Sequence, residues 1–475
     1  MSSIPRSLSE KVVRSASQVL AAELDPESAR DDPGTSPQKE ALLAASPAEQ
    51  TLGEGSGDFC KLTLPVFLPQ FPAYGVNGLI TPVLPAYVMH HFGRDAATAG
   101  IATACMSLAP VVLDLPQNIV ADRVGPHLLG VAAAVCLVAC GVVGVMSDLS
   151  NCFALFLVSR VLNGMGQSAW QISRVLLLAR APTSLRAKAL SCVGGVQRLG
   201  NMVGPLIGSL MTARFTIYGV FACQLACGLF LLPLALWPVL APATAPIPDF
   251  ARGSGVGGEG KQSSVGSMMV CAARNWTDLA TAGLACLALC WLRQTKDFLI
   301  VLKINDLGGG AELCGLAVSM AYFFDVAFAP VSGWLMTRFG RKYSLAPALA
   351  VVGLGCGALA TPLAASPWHV LGLACVCGAG NGITSGLGMT MGSDIAVKLE
   401  KQGLARSKAE FLGPWREMQD LGMFLGPAVS GAVVAALSFK AAAGSCAALG
   451  VVGAVFTVFL VRETLVQSSA KSGAA

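Results

Sequence analysis

An all-α membrane protein of twelve transmembrane helices, set as two six-helix bundles related by a pseudo-two-fold axis, is the fold class the sequence predicts. Three observations predict it. The first is composition: 54% of the 475 residues are hydrophobic and 12% are charged, with a mean hydropathy of +0.64, whereas soluble chains carry about 25% charged residues. The second is a series of twelve apolar runs, each near the ~20 residues a helix needs to cross the hydrocarbon layer. The third is internal duplication. The stretch Gln197-Arg198-Leu199-Gly200-Asn201-Met202-Val203-Gly204-Pro205 returns 222 residues on as Gln419-Asp420-Leu421-Gly422-Met423-Phe424-Leu425-Gly426-Pro427, with five of nine positions identical. Asp122-Arg123-Val124-Gly125 returns as Thr337-Arg338-Phe339-Gly340, and Asn163-Gly164 as Asn381-Gly382. Echoes in the same order indicate one half built twice, a pattern found in membrane carriers.

Each element follows in turn. Residues 1–60 are polar, rich in Ser, Ala, Pro, Glu and Asp, without a signal-peptide core, and read as a disordered cytoplasmic arm. The N-terminal bundle, 61–240, holds spans 1 to 6 at 63–89, 97–121, 127–147, 152–178, 187–212 and 216–239. The Pro/Gly/Ser-rich stretch 241–276 reads as a cytoplasmic linker. The C-terminal bundle, 277–463, holds spans 7 to 12 at 277–301, 311–337, 344–364, 368–395, 412–436 and 440–462, and 464–475 is a short tail. Each span must be helical, because in lipid only a helix bonds all of its own backbone.

Charge sets orientation. With the N-terminus cytoplasmic, the inner loops hold fourteen Lys and Arg, among them Arg123, Arg186, Arg338 and Lys408, against Arg94, Arg214, Lys303 and Lys440 outside. Both termini are therefore expected in the cytoplasm, the membrane being the plasma membrane or an endomembrane. A net charge of +5, scattered along the chain, leaves no nucleic-acid footprint. Most of the sixteen cysteines fall in apolar runs and read as small buried hydrophobes rather than as disulfides or metal ligands. No nucleophile–base set, metal spacing or phosphate loop appears, so neither an enzyme nor a cofactor is expected.

On these motifs the chain resembles the major facilitator superfamily over residues 63–462. Asp122-Arg123-Val124-Gly125 after span 2, and the run from Gly333 to Lys342 after span 8, are similar to its loop signature, with Thr337 in place of the acid in the second copy. Arg160-x-x-Asn163-Gly164-x-Gly166 is similar to its span 4 signature, and the repeated Gly-Pro stretch to a signature associated with antiporters. Gly75 with Pro82-x-x-Pro85 looks like a feature of twelve-span drug/proton antiporters. The resemblance implies packing of span 2 on span 11 and of span 5 on span 8. It thereby implies two charge pairs across the halves, Asp114 with Arg416 and Asp325 with Arg198.

Ionisable groups inside spans are costly and mark function by default. Asp114, Asp122, Arg160, Arg198, Asp325, Arg338, Arg416 and Asp420 are the candidates for proton coupling or gating. Asp122 is expected to face the positive N-terminus of span 11, and Arg338 with Arg341 to hold the inner end of span 8. By resemblance, spans 1, 4, 7 and 10 line the cavity, which nominates Gln70, Asn77, Asn163, Gln167, Trp170, Arg293, Asn381 and Ser385 for a substrate cavity. The stripes Gly200, Gly204, Gly208 and Gly422, Gly426, Gly431 allow close helix contact, and Pro205 and Pro427 bend their helices, which suits halves that rock. The expected function is secondary transport of a small organic solute by a monomer, with the proton as coupling ion and export as direction. Two alternatives stay open: a facilitative or symport uptake carrier for an organic anion or sugar, and a transporter-like sensor or partner-binding protein.

Overall fold

Helical segments stand at each of the twelve expected positions in the computed structural model, which describes residues 62–179, 183–241 and 265–464. The expected arm, the middle of the linker and most of the tail lie outside the described residues. Among those described, seven helices are long and apolar enough to cross a membrane by length and composition. Phe153–Ala179 and Leu284–Asp306 are long enough but carry Arg160 and Arg174, or Arg293, Lys296 and Asp297, which lower their hydropathy. Span 9 is the shorter helix Lys342–Ala358. It stops before the expected end because Thr361 and Pro362 open a separate 3-10 turn.

Three spans are broken where the sequence analysis draws them whole. Span 1 begins with a π turn, Thr63–Phe67, continues as Leu68–Ile80 and resumes as Leu84–His90. Pro82 and Pro85 cannot donate backbone bonds there, and the Thr81 hydroxyl bonds back to the Asn77 carbonyl at 2.9 Å. Span 7 also opens with a π turn, Leu279–Gly283, before Leu284–Asp306. The two π turns are 216 residues apart and so occupy the same place in the repeat. Span 10 is split into Pro367–Gly382 and Leu387–Lys401 by a turn whose Gly386 has φ +75°. Spans 5 and 6 form one run, Thr183–Leu240, that reverses at Phe215 and at Thr216 with φ +57°. The end of the expected linker is also ordered, as the helix Val265–Arg274.

Packing repeats with the sequence. Span 1 packs on span 5 as span 7 packs on span 11; span 3 packs on span 6 as span 9 on span 12; span 2 packs on span 4 as span 8 on span 10. Two seams join the halves, spans 2 with 11 and spans 5 with 8. Glycines bring the backbones together at equivalent points on both. A Cβ on Gly100 would stand 2.9 Å from the Gly431 Cα, and one on Gly315 would stand 2.6 Å from the Pro205 carbonyl. Gly100 and Gly315 both lie one turn into their spans, at the end remote from the linker, so both seams are shut on that far side. The equivalent caps differ: Asp95 accepts from the Thr98 backbone N–H at 2.9 Å at the start of span 2, while Gly310 starts span 8 without a side-chain cap.

Candidate functional site

Between the halves lies a cavity of about 440 Å³ walled by spans 1, 2, 4, 5, 7, 8, 10 and 11. Its polar lining arises because these spans turn their ionisable residues inward, away from lipid. Of the residues expected to line it, Asn77, Gln167, Arg293 and Asn381 do so. Gln70, Asn163 and Trp170 are buried elsewhere among the helices and do not line it. Gln70 and Asn163 have no bonded partner for their amides among the described residues, and Trp170 lies beneath the Arg174 guanidinium at 4.0 Å. Ser385 sits in the break of span 10, where its carbonyl accepts from the Ser332 hydroxyl at 3.0 Å, outside the lining.

The bridge expected across spans 2 and 11 is present as geometry. Arg416 Nε stands 3.1 Å from Asp114 Oδ2 and 3.8 Å from Asp420 Oδ2, so one guanidinium is shared by two carboxylates. Its Nη2 donates to Gln171 Oε1 at 3.2 Å, which also accepts from the Tyr74 hydroxyl at 2.9 Å. The Ser168 hydroxyl donates to Asp114. Spans 1, 2, 4 and 11 are thereby tied by one network, with Asp114 buried. Breaking a buried pair by removing one partner costs about 3–5 kcal/mol.

The pair expected across spans 5 and 8 does not form. Arg198 and Asp325 both line the cavity, yet among the described residues neither makes an ion pair or hydrogen bond. The positions that bridge the first seam are uncharged in the second. By the repeat, Asp114 corresponds to Ala329 and Arg416 to Gly194, so neither bridging position carries a charge. Arg198 and Asp325 each lie four residues, about 6 Å, deeper along their helices. At Gly194 a Cβ would meet nothing within 4 Å, so the cavity rim is open there.

Each half also carries an Arg–Asn bridge, with the roles exchanged. Arg160 of span 4 donates to Asn77 of span 1 at 3.4 Å. In the other half the arginine is on span 7: Arg293 Nε donates to Asn381 of span 10, and Nη2 donates to the Thr384 carbonyl at 3.1 Å and hydroxyl at 2.7 Å. Asn163 and Asn381 are the repeated asparagines, and Asn77 and Arg293 lie 216 residues apart, as the two π turns do. Arg160 itself is buried behind Asn77 and does not face the cavity.

Several residues outside the nominated set belong to the site. Lys296 lines the cavity, pairs with its neighbour Asp297 and lies 5.1 Å from the centre of the Tyr322 ring, whose hydroxyl donates to Asp297 at 3.3 Å. Charge inside span 7 was the signal that could have found them. Arg338 is exposed and makes no ion pair among the described residues; Arg341 is the anchor of that loop, donating to Asp394 at 2.9 Å, while its backbone N–H donates to Glu463 at 2.8 Å. The Asp122 side chain lies outside the described residues.

Comparison with known proteins places this geometry. The family model described as Major Facilitator Superfamily matches residues 66–302 and again 297–475. The multidrug resistance protein MdtG of Enterobacter lignolyticus is 27% identical over 164 residues, 34% of this chain and 39% of that protein. The inner membrane transport protein YajR of Escherichia coli is 26% identical over 144 residues, 30% of this chain and 31% of that protein. The match thus spans well under half the length of these curated relatives. Among solved structures, a point mutant of the nucleoside transporter NupG superimposes with a TM-score of 0.66 at 14% identity, covering 85% of this chain and 100% of that one. A bacterial homologue of the human drug peptide transporters PepT1 and PepT2 gives 0.63 at 14% identity, covering 86% and 97%. At such identities the likeness is one of fold.

Proposed function

Given that the chain belongs to the Major Facilitator Superfamily, we propose that it is a secondary active transporter that moves a small organic solute by alternating access. The observation that carries this reading is the cavity walled by both halves and shut on the far side by glycine contacts at both seams. Halves that meet through small residues can rock about those contacts and expose the cavity on alternate sides.

The coupling ion in this reading is the proton, and the seam of spans 2 and 11 handles it. Arg416 is shared by Asp114 and Asp420, so one carboxylate can hold a proton while the other keeps the guanidinium paired. Full charge on both binds the seam on the linker side; protonation loosens it. The direction is export across a membrane whose cytoplasmic face is the linker side. Relatives named for multidrug resistance and the Lys/Arg bias of the loops support this.

The test is flux in proteoliposomes holding purified full-length protein under an imposed pH gradient. Solute-dependent proton movement that Asp420→Asn or Asp114→Asn abolishes, while solute exchange persists, is the expected result. Solute flux indifferent to the gradient would instead establish the facilitative uptake reading, and absence of any solute flux would favour a sensor or partner-binding protein.

A further inference from the structure

The cavity carries charge that the protein leaves unanswered. Of its four lining cations, Arg416 is held by Asp114 and Asp420, and Lys296 by Asp297. Arg198 has no partner among the described residues. Arg293 bonds neutral groups, Asn381 and Thr384 through Nε and Nη2 and the Cys290 thiol, and no carboxylate pairs with it among the described residues. On the anionic side, Asp325 is buried, only 8% exposed, with neither ion pair nor hydrogen bond among the described residues; it feels the charge of Lys296, which Asp297 holds. Arg198 and Arg293 are half-buried and Asp325 is buried; a buried charge is expensive unless something pairs with it. Arg198 and Asp325 share one cavity of about 440 Å³ yet do not pair with each other.

The lining is mixed: Met106, Pro110 and Met423 give apolar surface beside the amides and charges. Its aromatic residues are Tyr74 and Tyr322, and both hydroxyls are already bonded within the polar networks. Sites for lipophilic ligands are lined mainly by hydrophobic and aromatic side chains with few polar groups. Here amides such as Asn77, Gln167, Gln197, Asn201 and Asn381 alternate with the charges.

Resting on the transport reading, we propose that the cavity selects a small polar zwitterion, its anionic group held by Arg198 and Arg293 and its ammonium by Asp325. A ligand of this class gives each of these three groups an opposite charge at contact distance. An organic anion satisfies two and leaves Asp325 orphaned; an organic cation satisfies one and leaves both guanidiniums unpaired. Planar guanidinium donors suit a carboxylate or phosphate group.

The test is binding to the purified full-length protein in lipid nanodiscs, by calorimetry and thermal shift. The probes are matched trios: an amino acid, its deaminated acid and its decarboxylated amine, for example L-phenylalanine, 3-phenylpropionate and phenethylamine, and the corresponding sets for L-leucine and L-glutamate. Tetraphenylphosphonium serves as a lipophilic cation. In at least one trio the zwitterion is expected to bind about tenfold or more tighter than either truncated form. Asp325→Asn should erase its advantage over the acid, and Arg198→Gln its advantage over the amine. Neither residue holds an ion pair among the described residues, so both variants should keep the parent's unfolding temperature without ligand. Tightest binding by tetraphenylphosphonium, or no zwitterion preference in any trio, overturns the proposal. Proton-linked flux of a lipophilic cation would overturn the substrate class and leave transport standing; zwitterion binding without flux would do the reverse.

Discussion

On the seam of spans 2 and 11, Asp114 meets Arg416 at 3.1 Å; on the seam of spans 5 and 8, the positions that correspond by the repeat are Ala329 and Gly194, neither of them charged. The same two-helix geometry, closed by the same glycine contacts at its far end, has thus been given different chemistry on its two copies. The first copy holds one guanidinium between two carboxylates. The second copy leaves Arg198 and Asp325 to face the cavity. Single-residue differences between the copies thus put the ion pair on one seam and two charges without an ion pair on the other.

The largest expected break in that comparison is Arg416→Ala. It strands buried Asp114 and should lower unfolding stability by about 3–5 kcal/mol, measured by thermal or denaturant unfolding of the purified protein. Next come Gly100→Leu and Gly315→Leu, which place a side chain into backbone at equivalent points of the two seams. Each should cost about 1–3 kcal/mol through overpacking and bias the halves toward an open far side, read as a longer distance between spin labels at Arg94 and Lys440. Equal effects at the two sites would support a symmetric hinge; an effect at one alone would refute it. Arg198→Ala should change stability by no more than about 0.5 kcal/mol, since among the described residues the arginine has no partner to strand, while solute binding falls. A cost near that of Arg416→Ala would mean that the second seam is bridged after all. The smallest effect is at the caps. Gly310 has the same extended backbone as Asp95, and a Cβ there meets nothing within 4 Å. Gly310→Asp should therefore raise stability by about a few tenths of a kcal/mol, seen as a small rise in unfolding temperature.

How far the site was legible in the sequence varies by residue. Arg293, Asn381, Arg198, Asp325, Arg416 and Asp420 were found because a charge or amide in an apolar run stands out against its neighbours, and each does line the cavity. The same signal failed for Gln70 and Trp170, which are just as conspicuous in the sequence but point into helix contacts. Lys296 and Asp297, charges of the same span, are not among the nominated residues, although Lys296 faces the cavity. The Arg–Asn bridges were invisible to that signal, because the arginine changes sides between the halves and no repeated string records the exchange.

The sequence alone determined the number and order of the apolar runs, the doubled half and the family, since hydropathy and repetition are properties of neighbouring residues and survive any packing. Tertiary structure alone decided that Asp114 is bridged and Asp325 is not, that span 10 breaks at Gly386, and that Arg341 rather than Arg338 holds its loop. Those outcomes depend on how each helix is rotated and set against its neighbours, which no run of adjacent residues records.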